Sequence, residues 1–231
     1  MDHTFPPTLE SIPRAHEDED QASLAERVYT TLLESILAGR VVRGTILSEV
    51  AVAKQLNVSR TPVHDALRQL AKDGLVEQAT GRRARVAQFT PDDVFEIYEM
   101  RKILEGPAAE LAAGRMDQRQ LGPLRSQAEF LMNSIGHPDW LGRWADFDEE
   151  FHHTIAASSG NRRLANDIDR YRLLHRGFNI TAFDPAALPQ ALEEHLRILD
   201  ALDARNPQAA RDAMMAHISH WQRYFVESFR R

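Results

Sequence analysis

Cysteine is absent from the 231-residue chain. That excludes a disulfide framework and any thiolate metal site, and it fits a reducing compartment. No apolar run approaches the ~20 residues that a membrane-spanning helix needs. The opening stretch MDHTFPPTLESIPRAHEDED lacks the basic-then-apolar layout of a secretory signal. There is no internal repeat, and no low-complexity tract beyond that opening stretch. These absences point to a soluble, cytoplasmic protein, long enough for one large domain or two modest ones with real cores.

Charge is present but unevenly placed. The net charge is −6, yet residues 1–20 carry −5, residues 21–90 carry +4 and residues 91–231 carry −5. A basic module on an acidic chain is what a polyanion-binding domain inside a larger protein looks like, although chance clustering also produces it.

Residues 1–20, with three prolines and a terminal EDED, lack apolar periodicity and read as a disordered acidic tail. Order is expected from Ser23, where Ser23 and Glu26 make a capping box. Val28, Leu32 and Ile36 then mark one helical face, and Gly39 is a stop. Ser48 opens a short second helix, EVAVAKQL. A third runs through TPVHDALRQLAKDG, with Thr61 as cap and Pro62 at the first helical position. LVEQ and ARVAQF read as two strands joined by a basic, Gly-containing turn. Three helices and a basic hairpin describe a winged helix-turn-helix over residues 21–89.

Thr90-Pro91 repeats the cap-then-proline signal. From there every long segment has helical period, with helices expected near 91–113, 117–135, 139–158, 162–181, 186–204 and 207–229. Six helices with short connections make an antiparallel bundle over residues 90–231, so the chain is mainly α.

VSRTPVHDALRQL is the most specific stretch. At a helix start, Ser59, Arg60 and Thr61 project donors, and Arg60 can fork to a guanine edge. Arg82, Arg83 and Arg85 of the wing can reach phosphates or the minor groove. The bland alternative is a capped helix with solvating arginines. Residues 44–78, GTILSEVAVAKQLNVSRTPVHDALRQLAKDGLVEQ, resemble the GntR family of bacterial winged-helix regulators. That family usually reads V-S-R-T-P-V-R-E-A-L at the recognition helix. Here His64 and Asp65 replace the last variable pair, and Val50 stands where an Arg often follows the Glu matched by Glu49. The exchange to His64 shortens the reach and makes the charge pH-dependent. Double-stranded operator DNA is the implied partner, with two possible DNA contacts changed by these exchanges.

In the second domain, DFDEEFHHTIAASSGN puts Asp148 and His152 one turn apart, on or beside the apolar stripe of Trp144, Phe151 and Ile155. An inward carboxylate needs a partner. His195 lies between Leu192 and Leu199, and His217 is in line with Met214, Trp221 and Phe225. Each histidine alone fits a hydrogen-bonded core position. Together, one carboxylate and three imidazoles on three helices suit a divalent cation such as Zn, Ni or Mn. His153 points elsewhere and reads as surface. Glu149 and Glu150 are expected on other faces of the helix, and Asn161 as the cap of the next one.

Residues 91–231 resemble the FCD effector domain of the FadR branch of that family, through RKILEGPAAELAA, DEEFHHTIAASSGN and EHLRILDALDARNPQAARDAMMAHI. Six helices rather than seven are closer to its VanR-like subgroup. The resemblance implies Asp148, His152, His195 and His217 as metal ligands, Arg101 beside the pocket, and a small carboxylate as effector. It implies a homodimeric transcription regulator, expected to be a repressor. Two rival readings of the same residues are a metal-dependent enzyme acting on a small carboxylate, and a DNA-binding protein whose bundle only dimerises.

Overall fold

The computed structural model describes residues 23–79, 83–179 and 185–230. The acidic tail, Arg82 and the turn through 183 and 184 lie outside the described residues. The chain divides into two compact units, one reaching to Phe89 and taking in the end of the seventh helix from Arg176, the other beginning at Thr90.

The first unit starts with α1 (Leu24–Leu37). Its capping box forms as the sequence requires: the Glu26 amide donates to Ser23 Oγ at 3.3 Å, and the Ser23 amide donates to Glu26 at 2.5 Å. Val28, Leu32 and Ile36 are buried. Then follow β1 (Ile46–Ser48), α2 (Glu49–Leu56), α3 (Arg60–Lys72), β2 (Val76–Ala79) and β3 (Arg83–Val86). Asn57, in the left-handed region with φ 55°, ends α2 and turns the chain toward α3.

Two expectations are corrected. The cap of α3 is Ser59, not Thr61, and Pro62 sits inside the first turn. A proline there is harmless, because the first amides of a helix have no carbonyl to meet. The sheet also has a third strand, β1, in the antiparallel order β1-β3-β2. Ile46 pairs with Arg85 and Leu47 with Ala84, while Val76 pairs with Val86. Three residues are too few to show a two-residue period, so β1 has no signature of its own. Along β3, Ala84 and Val86 are buried while Arg83 and Arg85 are exposed, which keeps two wing arginines in solvent.

The second unit comprises α4 (Pro91–Ala113), α5 (Gln118–Asn133), α6 (Trp140–Ser158), the first part of α7 (Arg162–Asn179), α8 (Leu188–Asp203) and α9 (Pro207–Arg230), with a 3-10 turn at Pro185–Ala187. The six bounds fall within a few residues of those expected. Thr90 and Asp93 cap α4 reciprocally. Asn161 Oδ1 accepts from the amides of Arg163 and Leu164, both at 3.2 Å, so it is the cap of α7.

The long α4 packs along α9, and α8 packs against both α9 and α5. The α4–α9 approach depends on Gly106: a Cβ there would meet Met215 Cγ at 2.8 Å. No helix among the described residues is long and apolar enough to cross a membrane.

Candidate functional site

Three helices bring three imidazoles together inside the second unit. His152 comes from α6, His195 from α8 and His217 from α9, and all three are buried. One ring nitrogen of each lies within 4.8 Å of the others. Asp148, one turn before His152, turns Oδ1 to the same place, 3.7 Å from His152 Nε2 and 3.5 Å from His195 Nε2.

The back edges of two rings are fixed. Glu105 of α4 accepts from His152 Nδ1 at 2.5 Å, and Glu194 of α8 accepts from His217 Nδ1 at 2.8 Å. A carboxylate only accepts, so Nδ1 carries a hydrogen in both rings and Nε2 is turned away from the carboxylate. Glu194 also accepts from His220 at 2.6 Å and Trp221 at 3.0 Å. Burial alone would raise the carboxyl pKa of Glu194, but His217 and His220 outweigh it and bring it to about 2. Aromatic rings wall the site: Phe151 lies 4.2 Å from the His195 ring centroid, and Trp144 stacks on the same ring at 5.4 Å.

Burial is the largest influence on His152 and His195. It disfavours the imidazolium and holds both well below the ordinary histidine range. Nε2 of His152 and both ring nitrogens of His195 are buried without a hydrogen-bond partner among the described residues. A buried lone pair left without a donor costs free energy, and several aimed at one point describe a cation's ligand set. Neutral imidazoles plus one carboxylate oxygen therefore fit a divalent metal. Carboxylates behind the rings are what usually orient such ligands.

Two guanidinium groups stand beside this set. Arg101 is buried, donates from Nε to Glu105 at 2.7 Å, and lies over the Tyr98 ring at 5.1 Å. It therefore reaches His152 through Glu105. Arg172 of α7 is the second. It is 1% exposed and donates from Nη2 to Asp148 Oδ2 at 2.6 Å, while its Nε and Nη1 have no hydrogen-bond partner among the described residues. Glu149 is corrected here: its carboxylate lies 3.3 Å from the same Nη2, not on a distant face. Glu150 does point away, toward Gln127.

His153 is exposed and meets Asp169 at 3.0 Å, as its place on the helix required. Glu105, Arg172 and Glu194 were all missed. Each was within reach of the signal that found Asp148, a charged residue in an apolar helical stripe. Arg172, for instance, follows the buried Ala165 and Ile168 at helical spacing.

In the first unit, Ser59, Arg60, Thr61 and His64 are exposed at the start of α3, and Arg83 and Arg85 on β3. The Ser59 side chain makes no capping bond, which leaves its hydroxyl available. Glu49, at the start of α2, accepts from Arg60 at 3.2 Å and meets His64 Nδ1 at 2.9 Å.

A winged helix with an exposed, donor-bearing helix start, followed by a helical bundle with a cluster of buried imidazoles, is the architecture of a DNA-binding transcription regulator. Residues 24–86 match the bacterial regulatory proteins of the gntR family, and residues 96–220 match the FCD domain. The chain belongs to the GntR family, in its FCD-containing branch. It is 31% identical to the HTH-type transcriptional regulator YdhC of Bacillus subtilis over 195 residues, covering 83% of this chain and 86% of YdhC. It is 28% identical to a probable D-xylose utilization operon transcriptional repressor of Paenarthrobacter nicotinovorans, covering 86% of this chain and 87% of that one. Its fold is that of Escherichia coli McbR/YncC, with a TM-score of 0.75 at 22% identity, covering 90% of this chain and 99% of that one.

Proposed function

We propose that this regulator is a repressor that binds a palindromic operator as a homodimer and responds to a small organic acid through a metal-containing bundle. The DNA-binding domain is residues 21–89, and the effector-binding and dimerisation domain is residues 90–231. Asp148, His152, His195 and His217 would hold a divalent cation, and that cation together with Arg101 would supply the positive charge that receives the effector carboxylate. The observation that carries this reading is the convergence of three buried imidazoles and the Asp148 oxygen on one point beside buried guanidinium groups.

Two DNA-reading units are needed for a two-fold operator, which is the reason for the dimer. A cation held there would supply positive charge to an anionic ligand. The chain supplies the rest: Glu105 and Glu194 hold the imidazoles of His152 and His217 aimed, and the aromatic walls exclude water. Effector binding then shifts the population between DNA-competent and DNA-incompetent states, as far as it binds one of them better.

The test is a thermal-shift screen of small organic acids on metal-loaded protein, followed by operator binding with and without each hit, and light scattering for the oligomer. A hit that changes operator affinity is expected, as is about twice the chain mass. Protein that takes up no metal after reloading, or that stays monomeric on DNA, sinks the reading.

A further inference from the structure

The contact between α2 and α3 carries a consequence for which bases are read. Glu49 is 8% exposed, whereas the side chains of its two partners, Arg60 and His64, are 49% and 58% exposed. Arg60 and His64 are four residues apart and so share the outer face of α3. One nearly buried carboxylate thus ties down two of the side chains that the helix presents to solvent. The hydrogen bond from His64, opposed by burial and helped by Arg60, keeps the Glu49 carboxyl below its usual range.

An ionised carboxylate accepts and never donates. The hydrogen of a neutral imidazole must therefore sit on His64 Nδ1, the nitrogen facing Glu49 at 2.9 Å. The other ring nitrogen, Nε2, is then an acceptor with a lone pair directed away from Glu49. This reverses the hydrogen-bonding sense of the position. An arginine, which the family pattern has here, offers donors only and pairs with guanine O6 and N7. An acceptor finds its complement only in an exocyclic amino group, on adenine N6 or cytosine N4.

We propose that Glu49 is a positioning residue that fixes His64 as a hydrogen-bond acceptor, so that His64 Nε2 selects a base bearing an exocyclic amino group in each operator half-site. This rests on reading α3 as the recognition helix. Arg60, held by the same carboxylate through one Nη2 hydrogen, keeps its other donors for a neighbouring acceptor base. The two readers are therefore set at a fixed spacing before DNA arrives, which reduces the side-chain ordering that binding must supply.

The test uses the full-length protein and a random-sequence duplex library at pH 8, on the alkaline side, where the neutral ring is favoured. Wild type should select adenine or cytosine at one symmetric pair of positions. His64→Ala should lose preference there and nowhere else, and His64→Arg should change it to guanine. Glu49→Gln can donate as well as accept, so the tautomer is released. The preference at the same pair should weaken by roughly threefold to tenfold while the melting temperature stays near wild type. In the selected duplex, replacing that base by its analogue without the amino group should weaken wild type by a similar factor and leave His64→Ala unchanged.

Guanine or thymine at the pair sensitive to His64→Ala, or an analogue that costs both proteins equally, overturns the acceptor assignment. A Glu49→Gln selection identical to wild type overturns the role of Glu49. A motif unaltered by both Arg60→Ala and His64→Ala overturns the recognition-helix reading itself, and is told apart from the other failures by the Arg60 arm.

Discussion

Arg172 donates to one oxygen of Asp148 at 2.6 Å, and the other oxygen of the same carboxylate faces the Nε2 atoms of His152 and His195 at 3.7 and 3.5 Å. The two oxygens thus face different partners, one closing an ion pair with Arg172 and the other turned to the imidazoles. Burial would raise the Asp148 pKa, but Arg172, His152 and His195 outweigh it and hold it well below the usual carboxylate range. Asp148 is therefore an anion with or without a cation beside it.

This relationship sets the outcome of Arg172→Met. Removing one partner of a buried pair costs about 3–5 kcal/mol, and the partial exposure of Asp148 puts the loss near the lower end. Chelator-treated variant should melt well below wild type. Metal should narrow the gap, because a cation on Oδ1 then compensates the carboxylate. Thermal melts with and without metal decide it, and a gap that widens on metal addition contradicts it.

The ligand set predicts about one metal per chain in protein purified without chelator, by elemental analysis. His195→Ala and His217→Ala should lose it and lose the metal-dependent part of the melting temperature. His153→Ala, which disturbs only the exposed contact with Asp169, should do neither. Retention of metal in both buried-histidine variants would dissolve the site.

The carboxylates behind the rings should matter almost as much. Glu105→Gln and Glu194→Gln are each expected to weaken metal affinity by about 10–100-fold, measured by competition with a chromogenic chelator. Asp169→Asn is the control, since its histidine partner is exposed and turned from the site. Equal affinities in all three variants would mean that the ring orientations need no such support.

Buried His175 predicts a pH effect. Burial first, then repulsion from Arg101 and Arg172, hold it well below the ordinary histidine range, against weaker opposing pulls from Asp148 and Glu105. The unfolded chain therefore binds the proton more readily. Stability is unaffected above about pH 6.5 and falls as the pH drops below that value. His175→Gln removes this site. Between pH 6 and 5 its stability should fall less steeply than wild type, by up to about 1.4 kcal/mol per pH unit. Urea melts across that window would show parallel slopes if His175 took up its proton in the folded state as easily as in the unfolded one.

On DNA, Arg60→Ala should remove most operator preference, because a bidentate guanine contact is worth ~1–3 kcal/mol of discrimination. Arg83→Ala, exposed on β3, should weaken all duplexes more evenly and flatten the salt dependence. Fluorescence anisotropy over a salt series separates the two. Unchanged operator affinity in Arg60→Ala would take α3 out of the groove.

The sequence alone determined the helices, because each is written locally. Caps such as Ser23 with Glu26 and Thr90 with Asp93 fix the starts, and apolar stripes such as Val28, Leu32 and Ile36 fix the faces. The same local rule marked Asp148, His152, His195 and His217 as inward, since a polar residue on an apolar stripe is conspicuous in one dimension. Only the tertiary structure decided what meets them. Glu105 lies 47 residues from His152 in sequence, and Arg172 lies 24 from Asp148. No helical period relates residues on different helices, so these pairings exist only once α4, α6 and α7 have packed. The third strand belongs to the same class, because β1 becomes a strand only through its pairing with β3. So does the hold of Glu49 on Arg60 and His64, where the packing of α2 on α3, and not the motif around Arg60, sets which nitrogen of the histidine faces solvent.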